Sequence, residues 1–137
     1  LPPCRCDRAR IGQVVRNLLS NAVKFTPEGR TIRVRLGTGM LPDARPALVL
    51  GVSDEGVGIP ASELELVFDK FVQSSRTRTG AGGTGLGLAI CHEIVEAHHG
   101  RITARNNAVC GAEFIVELPA LGRTEVMAPA LAAQGEA

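Results

Sequence analysis

Amide and lysine side chains recur along one face of the first long segment of the chain. They follow one another at intervals of three or four residues, at Gln13, Asn17, Asn21 and Lys24, so a helix would place them on one side. Amide oxygens can ligate Mg²⁺ while phosphates complete the shell of the metal, and a lysine ammonium can contact a phosphate as a point charge. A solvated face usually mixes acids with bases, whereas this face has no acid. The pattern fits a site for Mg²⁺ and phosphate or, alternatively, a solvated stripe without a ligand.

A second candidate site is the acid–glycine turn, residues 54–59, which directly follows an apolar segment. The carboxylate of Asp54 can accept a hydrogen bond from an exocyclic amine, such as the one on adenine. Gly56 and Gly58 have no side chain, so the backbone there can approach a flat ligand closely. The alternative is an ordinary turn whose acids face the solvent.

A third candidate is the glycine loop, residues 78–85, in which Gly80, Gly82 and Gly85 spell the pattern G-x-G-x-x-G. A dinucleotide-binding turn needs a hydrophobic strand just before the glycines and a carboxylate about 20 residues beyond them. Residues 73–79 are polar and residues 105–107 contain no acid, so neither requirement is met.

The glycine loop also differs from the phosphate loops of other nucleotide-binding families. A Walker loop continues from its last glycine into Lys and then Ser or Thr, whereas Leu86 follows Gly85 here. The further motifs of a protein kinase are absent. What remains is glycine-rich backbone at the start of a predicted helix, where exposed N–H groups bind anions, with Arg76 and Arg78 nearby. The loop therefore indicates a phosphate-binding helix start or, alternatively, a flexible loop without a ligand.

The composition limits the class of protein and of partner. A chain of 137 residues with 45% hydrophobic residues suits one domain with a single core. A net charge of +1 argues against a nucleic-acid binder driven by bulk electrostatics. No apolar run approaches the roughly 20 residues of a membrane span and no signal peptide opens the sequence, so we expect a cytoplasmic domain without direct membrane contact. The cysteines fit no zinc spacing and are expected to be reduced thiols: Cys4, Cys6, Cys91 and Cys110.

Apolar periodicity predicts the elements that position these candidate sites. A long amphipathic helix is predicted over residues 7–25 with Asp7 as its N-cap. A second helix is predicted over residues 86–99, where Gly100 follows as the helix stop. A short helix is expected within residues 61–71.

Alternating or continuous apolar residues predict four strands. The first two should form a hairpin around a loop at residues 37–46, and the first should have one face in water. This order of helices and strands predicts a two-layer α+β sandwich. The strands are predicted at residues 30–36, 47–53, 101–106 and 112–118.

Four segments, in this order, resemble the boxes of the ATP-binding catalytic domain of bacterial sensor histidine kinases. This superfamily is shared with gyrase-type and Hsp90-type ATPases. The resemblance covers residues 7–119. Residues 17–26 are similar to the N box, residues 54–59 to the first glycine box, residues 68–71 to the F box and residues 83–88 to the second glycine box.

The resemblance implies the Bergerat ATP-binding fold. In this fold a mixed, mostly antiparallel sheet is covered on one face by helices, and a mobile ATP lid closes the site. The catalytic domain would span residues 1–119, with the lid at about residues 60–84. Phe68 and Phe71 would anchor this lid. Residues 120–137 would form a disordered tail.

The resemblance also implies a role for each candidate residue, with ATP and Mg²⁺ as cofactors. Asn21 would ligate Mg²⁺, Asn17 would lie beside it near the phosphates, and Lys24 would contact a phosphate. These three form the expected catalytic set. Asp54 would bind the adenine amine. The full set expected to bind nucleotide is Asn17, Asn21, Lys24, Asp54, Gly56, Gly58, Ile59, Phe71, Arg76, Thr84, Gly85, Leu86, Gly87 and Leu88.

The implied activity is that of a protein histidine kinase. The γ-phosphoryl group would pass to a histidine on a separate dimerisation and phosphoacceptor domain, of the same or a partner chain, and then to a response regulator. The ATPases and serine kinases of the superfamily carry a glutamate base where this chain has Asn17. An amide cannot abstract a proton, which favours transfer over hydrolysis. The alternatives are an ATPase or serine kinase of this superfamily, or a non-catalytic interaction module.

Three features depart from the family pattern. The pair His98 and His99 precedes Gly100 where His-Gly-Gly is common, and Gly111 is followed by Ala112 where Gly-Thr is common. The chain has no histidine in the acidic context expected of a phosphoacceptor. Its start leaves little room for a first strand, so we expect a fragment of a longer kinase, which could be anchored in the inner membrane.

Overall fold

The structure is a computed structural model that describes Leu1, residues 3–69 and residues 87–121. The predictions for the lid beyond residue 69, for the glycine loop and for residues 122–137 lie outside the described residues. Contacts of the folded domain continue past residue 119. Ala120 is buried, and its N–H donates to the carbonyl of Pro46 over 2.9 Å.

The first helix, α1 (Arg8–Phe25), confirms the predicted amphipathic helix. Asp7 is its N-cap, since the Asp7 carboxylate accepts a hydrogen bond from the Arg10 N–H over 3.1 Å. The buried stripe follows the helical period at Val14, Leu18 and Ala22. The helix ends at Thr26, which has extended dihedral angles because the next residue is proline.

The predicted hairpin is present, but its turn is shorter than expected. Strands β1 (Arg33–Met40) and β2 (Pro46–Ser53) pair antiparallel along their whole length. The expected loop at residues 37–46 was wrong because the ladder continues through Gly37 and Gly39. The turn closes when the Leu41 N–H donates to the Arg45 carbonyl over 2.9 Å.

The start and the exposure of β1 also differ from the prediction. β1 begins at Arg33 rather than at residue 30 because the Thr31 N–H donates to the carboxylate of Glu55 instead of a neighbouring strand. Both faces of β1, an edge strand of the sheet, are largely exposed. Val34 and Leu36 therefore remain about half exposed although they lie on the side that is covered in the other strands.

The second helix, α2 (Gly87–Ala97), leads into strands β3 (Arg101–Asn106) and β4 (Ala112–Pro119). The prediction that Gly100 is the residue that ends α2 was wrong. His99, not Gly100, adopts the left-handed conformation. Gly100 is needed for another reason, since a Cβ there would stand 2.4 Å from the carbonyl oxygen of Glu117. The helix expected within residues 61–71 is a single 3-10 turn at Ala61–Glu63 in the described part of that range.

The predicted α+β sandwich is confirmed. The strand order is β1-β2-β4-β3, and every pairing among the described strands is antiparallel. The core lies between one face of this sheet and the two helices, and it includes Leu18, Val52, Val95, Phe114 and Val116. Within the described residues, no helix combines the length and the apolar character that a membrane crossing needs.

Candidate nucleotide-binding site

The polar face of α1 meets the start of α2 at Asn17. The Asn17 side-chain nitrogen donates to the carbonyl oxygen of Gly87 over 3.3 Å. Asn21 lies one turn further along α1, half-buried, and Lys24 follows on the same side with its side chain exposed. The three residues of the expected catalytic set therefore line one face of α1, and the first of them contacts the residue that opens α2.

Asp54 follows β2 directly and is almost completely buried, with 1% of its surface exposed. Its Oδ1 accepts hydrogen bonds from the backbone N–H of Gly56 over 3.0 Å and of Ala112 over 3.1 Å. A buried carboxylate is costly unless it is hydrogen-bonded, and these two donors fix its orientation. The alternative of a turn whose acids face the solvent is therefore wrong for Asp54.

The two glycines of the acid–glycine turn are required by their protein neighbours. A Cβ on Gly56 would stand 2.2 Å from the carbonyl oxygen of Phe25, at the end of α1. Gly58 has a φ of +77°, and a Cβ there would stand 2.9 Å from Oδ1 of Asn106. These contacts place the turn against the end of α1 on one side and against β3 on the other.

Ile59 ends the acid–glycine turn as a core residue, 3% exposed. Two asparagines at the end of β3 support this turn, and sequence reasoning did not find them. The Asn106 amide binds both backbone groups of Ile59. Asn107 donates from Nδ2 to Oγ of Ser53 over 2.8 Å and to the carbonyl oxygen of Asp54 over 3.1 Å. The signal was the pair of amides where a strand ends, but the sequence does not show which segment they reach.

Only the end of the glycine box after the glycine loop falls within the described residues. Gly87 is exposed at the first position of α2, with nothing within 4 Å of the place a Cβ would take. Leu88 is half-buried and packs against the core. The N–H groups of a first helical turn have no partner within the helix and are suited to bind phosphate. The expected site residues Phe71, Arg76, Thr84, Gly85 and Leu86 lie outside the described residues.

The expected anchor of the lid, Phe68, packs between aromatic rings. Its ring stacks on the imidazole of His92 at a centroid distance of 5.8 Å and meets Phe114 edge to face at 6.2 Å. Phe68 therefore ties the first part of the expected lid to both α2 and the sheet.

The acid–glycine turn and the start of α2 both contact α1, which carries the amide-and-lysine face. The acid–glycine turn contacts α1 at Phe25, and the start of α2 contacts it at Asn17. These two positions are eight residues apart, which corresponds to about 12 Å along a helix. This arrangement suits an extended nucleotide with its base near Asp54 and its phosphates near Asn21 and the start of α2.

The side chains near Asn21 and the start of α2 could hold a Mg²⁺ ion whose other ligands come mainly from a bound nucleotide. Among the described residues, no group of three His, Cys, Asp or Glu side chains could hold a metal ion. Mg²⁺ commonly takes one or two oxygens from a protein and the remainder from phosphates and water. The half-buried amide of Asn21 supplies an oxygen of that kind.

Cys91 lies beneath the polar face of α1 but is not suited to act as a nucleophile. Burial raises the pKa of this thiol to about 11, although a hydrogen bond with Asn17 opposes the shift. Its sulfur lies 3.8 Å from the carbonyl oxygen of Val14. The thiol is therefore neutral near pH 7 and serves as a packing group between the helices.

Comparison with known proteins connects this geometry to one family. Residues 6–122 match the family model described as "Histidine kinase-, DNA gyrase B-, and HSP90-like ATPase". Among curated proteins, hybrid signal transduction histidine kinase D of Dictyostelium discoideum is 42% identical over 115 residues. The match covers 82% of this chain and 7% of that relative, so the chain spans a small part of the relative's length.

Solved structures of kinases share the fold. The mycobacterial sensor histidine kinase MprB superposes with a TM-score of 0.70 at 33% identity, covering 83% of this chain and 72% of that one. Full-length ShkA, solved in complex with AMPPNP, superposes with a TM-score of 0.67 at 32% identity. That match covers 88% of this chain and 23% of ShkA.

Proposed function

The chain belongs to the family of histidine kinase-, DNA gyrase B- and HSP90-like ATPases, as an ATP-binding catalytic domain of the sensor histidine kinase type, and we propose how it acts. It binds Mg²⁺ and ATP and donates the γ-phosphoryl group to a histidine on a separate phosphoacceptor domain. A response regulator would then receive the group from that histidine. The observation that carries the proposal is the buried, oriented carboxylate of Asp54 at one end of a face whose other end holds Asn17, Asn21 and the start of α2.

The adenine end of the site works by hydrogen bonding and shape. The Asp54 carboxylate is held by Gly56 and Ala112, and in the proposal it accepts a hydrogen bond from the exocyclic amine of the base. A site in which a buried carboxylate binds the amine of adenine discriminates strongly against a base without this amine. The backbone of Gly56 and Gly58 forms the surface on which the base lies.

The phosphate end works by positioning and by positive charge. Asn21 and phosphate oxygens would hold Mg²⁺, which neutralises the charge that develops during phosphoryl transfer. Lys24 contributes a cation on the same face of α1, and the first N–H groups of α2 bind phosphate oxygens. Asn17 holds the start of α2 through the carbonyl of Gly87, which keeps these donors facing the polar side of α1.

The chemical step needs no base from this chain. A neutral imidazole nitrogen of the acceptor histidine attacks the γ-phosphorus, a P–N bond forms, the bond between the γ-phosphorus and the bridging oxygen breaks, and ADP leaves. The resemblance places Asn17 where the ATPases and serine kinases of the superfamily carry a glutamate base, and an amide cannot take a proton from water or a serine hydroxyl. This observation favours the kinase over the ATPase or serine-kinase alternative.

Two of the three histidines of this chain make structural contacts through their side chains, which supports an acceptor on another domain. His92 pairs with Glu96 at 3.3 Å and stacks on Phe68. Nε2 of His98 accepts a hydrogen bond from the Asp7 N–H over 2.9 Å. His99 occupies the left-handed position after α2.

The test is phosphoryl transfer from γ-labelled ATP to an added histidine phosphoacceptor domain. The relative solved with AMPPNP makes adenine nucleotides the first ligands to supply. We expect label on the acceptor domain with the unmodified chain and a loss of at least about a hundredfold with Asn21→Ala, since Mg²⁺ positioning contributes several kcal/mol to the transition state. Release of free phosphate without label on any histidine would instead indicate an ATPase.

A further inference from the structure

The amide of Asn106 and the backbone of Ile59 form a closed pair of short hydrogen bonds. The Ile59 N–H donates to Oδ1 of Asn106 over 2.7 Å, and Nδ2 of Asn106 donates to the Ile59 carbonyl over 2.6 Å. We propose that Asn106 is a positioning residue that fixes the Gly58–Ile59 backbone, and with it the floor of the adenine subsite. The inference rests on the proposed function of that subsite.

The neighbouring residues leave Ile59 dependent on this amide. Ile59 is 3% exposed, so its backbone groups have little access to water and need protein partners. The residue before it, Gly58, has a left-handed φ of +77°, and the residue after it, Pro60, has no N–H. Such a segment cannot continue a regular ladder, and the side chain of Asn106 takes the place of a neighbouring strand.

The contact also fixes the distance between β3 and the turn. Oδ1 of Asn106 lies 2.9 Å from the place where a Cβ on Gly58 would stand. Only a glycine lets the turn come this close to Asn106. The contact between Gly58 and Asn106 therefore fixes the position of the Gly58 backbone in the adenine subsite.

The position of Asp54 depends on other residues. Its carboxylate is held by Gly56 and Ala112, and its carbonyl is bound by Asn107. A change at Asn106 should therefore displace Gly58 and Ile59 and leave the carboxylate oriented. The phosphate end, where Asn17 contacts Gly87, should also remain as it is.

Because Asn106 supports only the adenine end of the site, its substitution should affect every ligand that contains the base. Adenosine occupies only the base end of the site, whereas a non-hydrolysable ATP analogue occupies both ends. In Asn106→Ala both dissociation constants should rise by the same factor, about tenfold for the loss of two hydrogen bonds to a buried segment. In Asn106→Asp, which keeps the size and the acceptor, the loss of the donor beside the Ile59 carbonyl should weaken both ligands similarly.

The test is calorimetric titration of the whole chain and these variants with adenosine and with the ATP analogue, together with thermal unfolding of each protein. His98→Ala is the matched control. It removes the acceptor of the Asp7 N–H at the other end of α1, which is about 27 Å long for its 18 residues. This control should unfold at a lower temperature yet bind adenosine as the unmodified chain does.

The outcomes separate this inference from the proposed function. Folded Asn106 variants that bind adenosine with unchanged affinity would overturn the positioning role, and so would an equal loss of affinity in His98→Ala. A loss confined to the ATP analogue would also overturn it, because the role then belongs to the phosphate end. If the unmodified, folded chain binds neither ligand, both the proposed function and this inference are wrong.

Discussion

The absence of a side chain at Gly56 lets the acid–glycine turn contact the end of α1. A Cβ on Gly56 would meet the Phe25 carbonyl oxygen at 2.2 Å, and this oxygen belongs to the backbone, so it cannot rotate away as a side chain could. We expect Gly56→Ala to lower the free energy of unfolding by about 1–3 kcal/mol, because the turn or the end of the helix must shift. Urea unfolding measures this difference.

Gly37→Ala is the matched control for that substitution. Gly37 lies within the edge strand β1, and nothing stands within 4 Å of its added Cβ. Its effect should stay within about 0.5 kcal/mol. An equal loss in both variants would show that the contact with Phe25 is not what requires glycine at residue 56.

The thiol of Cys91 should be protected in the folded protein. Burial raises its pKa from 9.0 to about 11, and the thiolate is the form that reacts. At pH 8 iodoacetamide should modify the exposed Cys6 well before Cys91, as measured by mass spectrometry of the peptides. Modification of both at one rate in folded protein would contradict the burial of Cys91 between the helices.

The same raised pKa links Cys91 to stability at alkaline pH. A group whose pKa is higher in the folded state contributes stability that is present below its unfolded pKa of 9.0 and is lost as the pH rises towards about 11. We expect Cys91→Ala to flatten this alkaline loss, as measured by urea unfolding from pH 8 to pH 11. An alkaline profile equal to that of the unmodified chain would contradict this link.

At the scale of elements, Glu113 joins three strands on the sheet face away from the helices. Its carboxylate accepts hydrogen bonds from Arg35 on β1 at 3.0 Å and from Arg105 on β3 at 2.6 Å. Burial alone would raise the pKa of Glu113, but the hydrogen bonds and charges of the two arginines outweigh it and hold the pKa below its usual 4.5. Glu113→Gln should cost about 1–2 kcal/mol at pH 7, a modest value because both arginines are about half exposed.

The pH dependence of this cluster has a definite sign. A carboxylate whose pKa is lowered in the folded state contributes stability that is present above its unfolded pKa and is lost as the pH falls through the folded pKa. The difference in stability between the unmodified chain and Glu113→Gln should therefore shrink as the pH falls from 6 towards 3, in urea unfolding measurements. A constant difference over that range would show that charge at Glu113 is not the cause.

The helices and strands also show which element bounds can be predicted from local sequence pattern. The bounds of α1 follow from its apolar period and from the Asp7 cap, both of which are local. The turn of the β1–β2 hairpin cannot be located from local pattern. Glycines at residues 37 and 39 indicate a loop, whereas the pairing with β2 keeps them in a strand. Tertiary pairing outweighed local preference there.

At the scale of the whole molecule, residue types suggest a chemistry for the candidate site, which stays a prediction, but they do not show which distant residues support it. Asp54 was predicted to bind a base, yet its carboxylate is held by the N–H of Ala112, which is 58 residues further along the chain. The hydrogen-bonded residues Ile59 and Asn106 are 47 residues apart in the chain. Contacts at such separation depend on the order of the strands in the sheet, which the apolar periods of a single sequence do not specify.

The central claim is that this chain binds adenine nucleotide through the carboxylate of Asp54. The most direct test is calorimetric titration of a non-hydrolysable ATP analogue, with and without Mg²⁺, into the unmodified chain and into Asp54→Asn. We predict binding that Mg²⁺ strengthens, and a loss of about a hundredfold, or roughly 3 kcal/mol, in Asp54→Asn, because the amide offers its own donors to the amine of the base. Equal affinity of the two proteins, both confirmed to be folded, would contradict the account.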